Sequence, residues 1–220
     1  MTSKRPTASK KQFFYRHDNA TDASWAIRNR TGNIAEELEH NLHYGILHLP
    51  YTDLSAKQIT EIAHALKVNT TTLITLDISN NNISNEGAIS IGDALKVNKT
   101  LTRLDIENNH ILNEGATSIG DALKVNNTLT TLFISNNNIS NEGATSIGDA
   151  LKVNKKLVTL IIKNNNISDE GGASVVVGLK KVYRGSSTRL KNSDILQRFN
   201  NDEVTLSHAD DTAGKTDEDS

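Results

Sequence analysis

Hydrophobic residues in the middle of the chain recur in two rhythms, one after the other. In Leu101–Thr128, LTRLDIENNHILNEGATSIGDALKVNNT, Leu104 and Ile106 alternate with polar neighbours, which predicts a strand sending Arg103 and Asp105 to the opposite face. An amphipathic run follows, and in the preceding copy Ala88, Ile91, Gly92 and Leu95 mark its buried stripe at helical spacing. Leu73–Thr100 and Leu129–Lys156 read almost identically, Leu157–Arg184 is looser, and Tyr44–Thr72 is a degenerate copy with one extra threonine. A fixed period of this length predicts an α/β solenoid: strands stacked in a parallel sheet at one face, helices at the other.

The ends are unlike the repeats. Residues 13–43 hold Phe13, Phe14, Tyr15, Trp25 and a stripe of Ile34, Leu38 and Leu42, the composition of an N-terminal cap over the first strand. In the last repeat Val176 and Val177 stand where earlier copies have Gly and Asp, so extra apolar surface there needs a cover. Residues 185–207, with a short helix from Ser193 to Phe199, are the expected C-terminal cap. Residues 1–12 and 208–220 have little to bury and read as a basic and an acidic disordered tail. The expected organisation is therefore tail, cap, five repeats over 44–184, cap, tail.

Three polar positions carry local expectations. Asn81, Asn109, Asn137 and Asn165 recur where each strand ends, and an amide there can accept from one turn and donate to its neighbour, forming a ladder. Asn80 and Asn82 read as ordinary polar loop residues. Ser84, Ser140 and Ser168 read as helix N-caps, with Glu86, Glu142 and Glu170 in the first turn; Leu112 in that place predicts a weaker helix start.

Composition narrows the function. The absence of cysteine excludes thiolate metal sites and cysteine nucleophiles, and fits a reducing compartment. A net charge of −2 argues against a nucleic-acid binder. No apolar run is long enough to span a membrane, and no apolar stretch follows the basic start as a signal peptide requires.

The pattern L-x-x-L-x-[LI]-x-x-N-x-[IL], followed by N-E-G-A and a helix ending A-L-K-V-N, resembles the long, helix-containing leucine-rich repeat of the ribonuclease-inhibitor type. That resemblance implies a curved solenoid with a concave sheet, in a family that mostly binds proteins. The Asn-rich repeats with a basic start and acidic end also resemble leucine-rich-repeat effectors of intracellular bacterial pathogens. Some of those carry an F-box or a cysteine-dependent ubiquitin ligase; residues 13–43 show no F-box pattern, and no cysteine is present for the ligase.

Candidate chemistry is sparse. His40, His43 and His48 have a conceivable metal spacing but pass from a helix into a strand without carboxylates around them. Asp77 and Asp105 stand at equivalent positions of adjacent strands, yet on an open sheet without the enclosing pocket a glycosidase needs. No phosphate-binding loop or nucleophile elbow occurs. The outward strand positions are more informative. One column runs His48, Asp77, Asp105, Phe133, Ile161; another Ile46, Thr75, Arg103, Thr131, Thr159; a third Pro50, Ser79, Glu107, Ser135, Lys163. The helices hardly vary, whereas these columns differ in character along the stack. The expected function is non-enzymatic protein binding, without cofactor, by a chain that is monomeric when free. Phe133 and Ile161 would be its exposed apolar anchor, with Arg103, Asp105, Asp77, Glu107, Lys163, His48, Thr131 and Thr159 around it. The partner would be a host protein or a second bacterial effector, met in host cytosol and occluded on binding. A GTPase-activating module and a ubiquitin-ligase substrate adaptor are the alternatives.

Overall fold

The structure, a computed structural model, describes residues 45–68 and 73–182 and the pair Val204–Thr205, with side chains described through residue 178. Each repeat contributes one strand and one helix: β1 (Ile46–His48), α1 (Ala56–Val68), β2 (Thr75–Asp77), α2 (Asn85–Val97), β3 (Arg103–Asp105), α3 (Asn113–Val125), β4 (Thr131–Phe133), α4 (Asn141–Leu151), β5 (Thr159–Ile161) and α5 (Asp169–Val182). The five strands form one parallel sheet in chain order. Each helix packs on the next. The architecture is the α/β solenoid that the periodicity predicts, of the leucine-rich-repeat kind that the resemblance implies.

Between sheet and helices lies a wholly aliphatic core. Leu76, Leu104, Leu132 and Leu160 enter it from the strands, and Ile91, Ile119 and Ile147 from the helices, all fully buried. Burying each such side chain contributes about 1.5–3 kcal/mol. Helices come close because the facing residue is glycine: a Cβ on Gly120 would sit 2.9 Å from the Ser146 carbonyl oxygen of the next helix. That approach compensates the helix propensity glycine forfeits.

The Asn81 series forms the expected ladder. The Asn109 carboxamide oxygen accepts from the Asn81 and Ile83 N–H groups of the preceding repeat at 3.2 and 3.1 Å. Its Nδ2 donates back to the Ile78 carbonyl and to Ile106 and Glu107 of its own turn. Thr52 replaces asparagine in the first repeat and turns its hydroxyl onto the Leu49 carbonyl. A second ladder was not anticipated. Asn98, Asn126 and Asn154 end successive helices, and each accepts from two backbone N–H groups of the following turn. Each also donates to the end of the helix before, as Asn126 does to the Leu95 and Asn98 carbonyls at 2.7 and 3.2 Å.

The helix starts correct the sequence reading. Neither Ser84 nor Ser140 makes a side-chain cap bond. From α3 onward the caps come from the preceding repeat instead. Asn85 Oδ1 accepts from Leu112 N–H and Gly115 N–H at 2.8 and 3.2 Å, and Asn113 Oδ1 accepts from Ser140 N–H and Gly143 N–H. Asn141 Oδ1 likewise takes Ser168 N–H. Helix α3 therefore begins as firmly as α4, despite Leu112. α1 carries its own capping box between Ser55 and Gln58.

Two further expectations change. Asn80, Asn108, Asn136 and Asn164 are not idle loop residues: all lie at φ of 52–55°, the left-handed region that asparagine tolerates better than most side chains. Of the two valines expected to need a cover, Val176 is buried and Val177 is 54% exposed. At the end of the sheet β6 (Val204–Thr205) pairs antiparallel with β5, Leu160 opposite Val204, so the last edge is closed by a reversed strand. The 1–12 and 208–220 tails, the 13–43 cap and the Ser193–Phe199 helix lie outside the described residues.

The two amide systems give a stability test. Asn109→Ala and Asn126→Ala should each cost about 1–3 kcal/mol in chemical denaturation, because backbone groups buried in the turns lose their partners. Leu112→Ser should change stability little, whereas Asn85→Ala should cost about 1 kcal/mol through the α3 cap. A larger gain from Leu112→Ser than loss from Asn85→Ala would contradict the trans-repeat caps.

Candidate protein-binding surface

The register places the outward columns as the sequence ordered them: Ile46, Thr75, Arg103, Thr131 and Thr159 side by side, and His48, Asp77, Asp105, Phe133 and Ile161 beside them. Neighbouring strands lie about 4.8 Å apart, so each column spans roughly 20 Å. Leucines and isoleucines take the alternate positions inward, leaving these side chains on the open face.

That face is divided by chemistry. At one end His48 Nδ1 donates to Asp77 Oδ2 at 2.7 Å. Asp77 Oδ1 accepts from Ser79 N–H, and Asp105 Oδ1 from Glu107 N–H, so both carboxylates also close the turns behind their strands. Burial pushes the Asp77 carboxyl up, but the bonds from His48 and from Ser79 outweigh it and hold the group below its ordinary 3.8. Asp105 has no imidazole. Burial first, and then the neighbouring Asp77 charge, raise it to about 6.

At the other end the anchor differs from expectation. Phe133 and Ile161 are adjacent in register but half-buried, not standing in the open. The Arg103 guanidinium lies over the Phe133 ring, 4.2 Å from its centroid, and covers one face of it. Arg103 itself is exposed; Glu107, Lys163, Thr131 and Thr159 are partly exposed around the pair. Ser135, in the same column as Glu107, is buried.

Among the described residues the most exposed large hydrophobic lies in the first repeat instead. Tyr51 is 70% exposed and Ile46 55% exposed. Tyr51 occupies the turn position filled by Asn80 in the next repeat, and shares its positive φ at 56°. For a bulky aromatic that conformation is strained, which makes Tyr51 a candidate contact residue the sequence reading passed over. Its signal was present: an aromatic at the site where four later units have asparagine. His40 and His43 lie outside the described residues, so the histidine triad is not placed. Among the described residues no helix is long and apolar enough to cross a membrane.

Comparisons with known proteins agree with this architecture. A family model described as Leucine Rich repeat matches residues 69–92, 97–120, 125–148 and 153–176. Among solved structures, leiomodin-1 actin-binding site 2 superposes with a TM-score of 0.57 at 22% identity, over 74% of this chain and 90% of that one. The tropomodulin C-terminal domain of Caenorhabditis elegans gives a TM-score of 0.53 at 16% identity, over 66% and 88%. No curated protein matches the chain in sequence.

The carboxylate pair makes a pH-dependent prediction. As pH rises from about 4, the unfolded Asp105 carboxyl ionises near 3.8 while the folded one holds its proton to about 6. The folded state binds more protons across that window, so Asp105 costs stability increasingly through it and fully above it. Asp77 has the opposite sign: it adds stability above 3.8 that is lost as pH falls through its lower folded value. Asp105→Asn keeps the acceptor for Glu107 N–H and removes the charge. It should raise Tm at pH 7.5, with the gain vanishing near pH 4. A gain that is the same at both pH values would contradict the cost of the buried Asp105 charge.

Proposed function

We propose that this chain is a non-enzymatic binding module that grips one protein through the open face of its sheet and acts by covering that partner. One observation carries the reading. The buried strand positions and the helices repeat nearly unchanged, while the outward columns pass from His48 and the Asp77–Asp105 pair to Phe133 and Ile161 within five strands. The solenoid requires the same of every repeat, so it does not account for this individuality; a specific protein surface does. Acidic at one end and apolar at the other, the face suits a partner segment that is basic next to an apolar patch.

The leiomodin-1 fragment is described as an actin-binding site, which makes actin the first partner to test. The likeness of the repeats to bacterial effectors favours a second reading, in which the partner is a host-cell protein in the cytosol. Affinity capture from host and bacterial lysates, with purified actin alongside, separates the two. In titrations against the protein so identified, Ile161→Asp and Phe133→Asp should each weaken binding by about 2 kcal/mol or more, since interface energy concentrates in a few desolvated anchors. Lys124→Glu on the helical side should leave affinity unchanged. Unchanged affinity for both sheet variants would move the binding surface off this face, with Tyr51 and the turns as the next place to look.

A further inference from the structure

The second ladder has a chemical consequence of its own. Asn98-Lys99-Thr100 and Asn126-Asn127-Thr128 are acceptor sequences for N-linked glycans, as are Asn82-Ile83-Ser84, Asn138-Ile139-Ser140 and Asn166-Ile167-Ser168. Asn82, Asn138 and Asn166 are exposed on the turns after the strands. Asn98 and Asn126 are not: they are 0% and 3% exposed.

Glycan transfer forms a bond between asparagine Nδ2 and the first sugar's C1, displaces the lipid diphosphate that carried the sugar, and releases one amide proton. Nδ2 keeps a single hydrogen. Asn126 uses its Nδ2 for two bonds, to the Leu95 and Asn98 carbonyls at 2.7 and 3.2 Å, while its Oδ1 holds Thr128 N–H and Leu129 N–H. Asn98 Nδ2 reaches the Leu66 carbonyl at 3.0 Å. A sugar at either nitrogen would occupy space now filled by the adjoining helix end. Nor would burial protect these sites. Transfer occurs on the unfolded chain as it enters the lumen, and the contacts that bury Asn98 come from a neighbouring repeat.

We infer that the native state of this chain is incompatible with folding in an N-glycosylating lumen, and that the protein folds and works in a compartment without oligosaccharide transfer: cytosol, nucleus or a bacterial cytoplasm. Asn98 and Asn126 would act there as ladder residues and elsewhere as folding blocks. The absence of cysteine accords with such a compartment.

The test expresses the full chain in one eukaryotic cell line, either in the cytosol or behind a cleavable signal peptide. Both forms carry Thr21→Ala, Thr31→Ala and Thr71→Ala, which remove the acceptors at Asn19, Asn29 and Asn69. A second pair adds Thr100→Ala and Thr128→Ala, which cancels the ladder acceptors and keeps both asparagines. The two hydroxyls contact only their own ladder amides at 3.3–3.5 Å, so the cytosolic variant should melt cooperatively. Glycopeptide mass spectrometry should find Asn98 or Asn126 occupied in the lumenal parent, which should lack a cooperative transition. The lumenal Thr100→Ala/Thr128→Ala variant should regain one, even with glycans at Asn82, Asn138 or Asn166. A lumenal parent that melts like its cytosolic counterpart, with those sites occupied or empty, would overturn the inference. So would a double variant that folds in the cytosol and fails in the lumen.

Discussion

The primary amide of a recurring asparagine is the interaction on which the rest of this fold depends. A repeat of this kind cannot close its own turns: each strand ends, and each helix ends, in backbone N–H and C=O groups with no partner inside the unit. A carboxamide carries an acceptor and a pair of donors on one short side chain, so one residue satisfies groups in two repeats at once. Asn109 does so after the strand and Asn126 after the helix, while Asn85 caps the helix of the following repeat. Stability is then shared between neighbours, as a one-dimensional stack of units requires.

That arrangement leaves one surface largely unconstrained. The core needs its leucines and isoleucines, the turns need their asparagines, and the helix interface needs glycine where Ser146 approaches Gly120. Of the outward strand positions only Asp77 and Asp105 also serve the scaffold, through the turn bonds to Ser79 and Glu107 N–H. The contents of that face are physically awkward: two carboxylates beside each other, one lifted to about 6, and an aromatic ring shielded by a guanidinium. The half-buried Asp105 charge costs the free protein something, and a partner bringing positive charge would relieve it.

The fold was legible in the sequence because the solenoid is written as a period. Leu104, Ile106 and Asn109 announced their places by recurring, and the register follows from the repeat length alone. What escaped was trans-repeat chemistry. Ser140 sits where a cap should sit, and local rules assigned it the bond that the preceding repeat's asparagine makes instead. Asn80 looked like loop filler because a backbone angle is invisible in a one-letter code. Side-chain placement on the open face escaped for a similar reason: two columns came out in register, but Ser79 and Ser135 of the third are buried, and the fold of Arg103 over Phe133 is a diagonal contact that repeat arithmetic does not reveal.

Native-state hydrogen exchange in an Asn137→Ala variant tests the central claim most directly. The Ile111 amide, in the repeat before, donates to Asn137 Oδ1 at 3.1 Å, whereas the Ile139 amide of Asn137's own turn donates to Asn165. The loss of one carboxamide should therefore speed exchange at Ile111, 26 residues upstream, and leave Ile139 protected. Faster exchange at Ile139 with Ile111 still protected would show that each repeat closes its own turn, and would contradict the account.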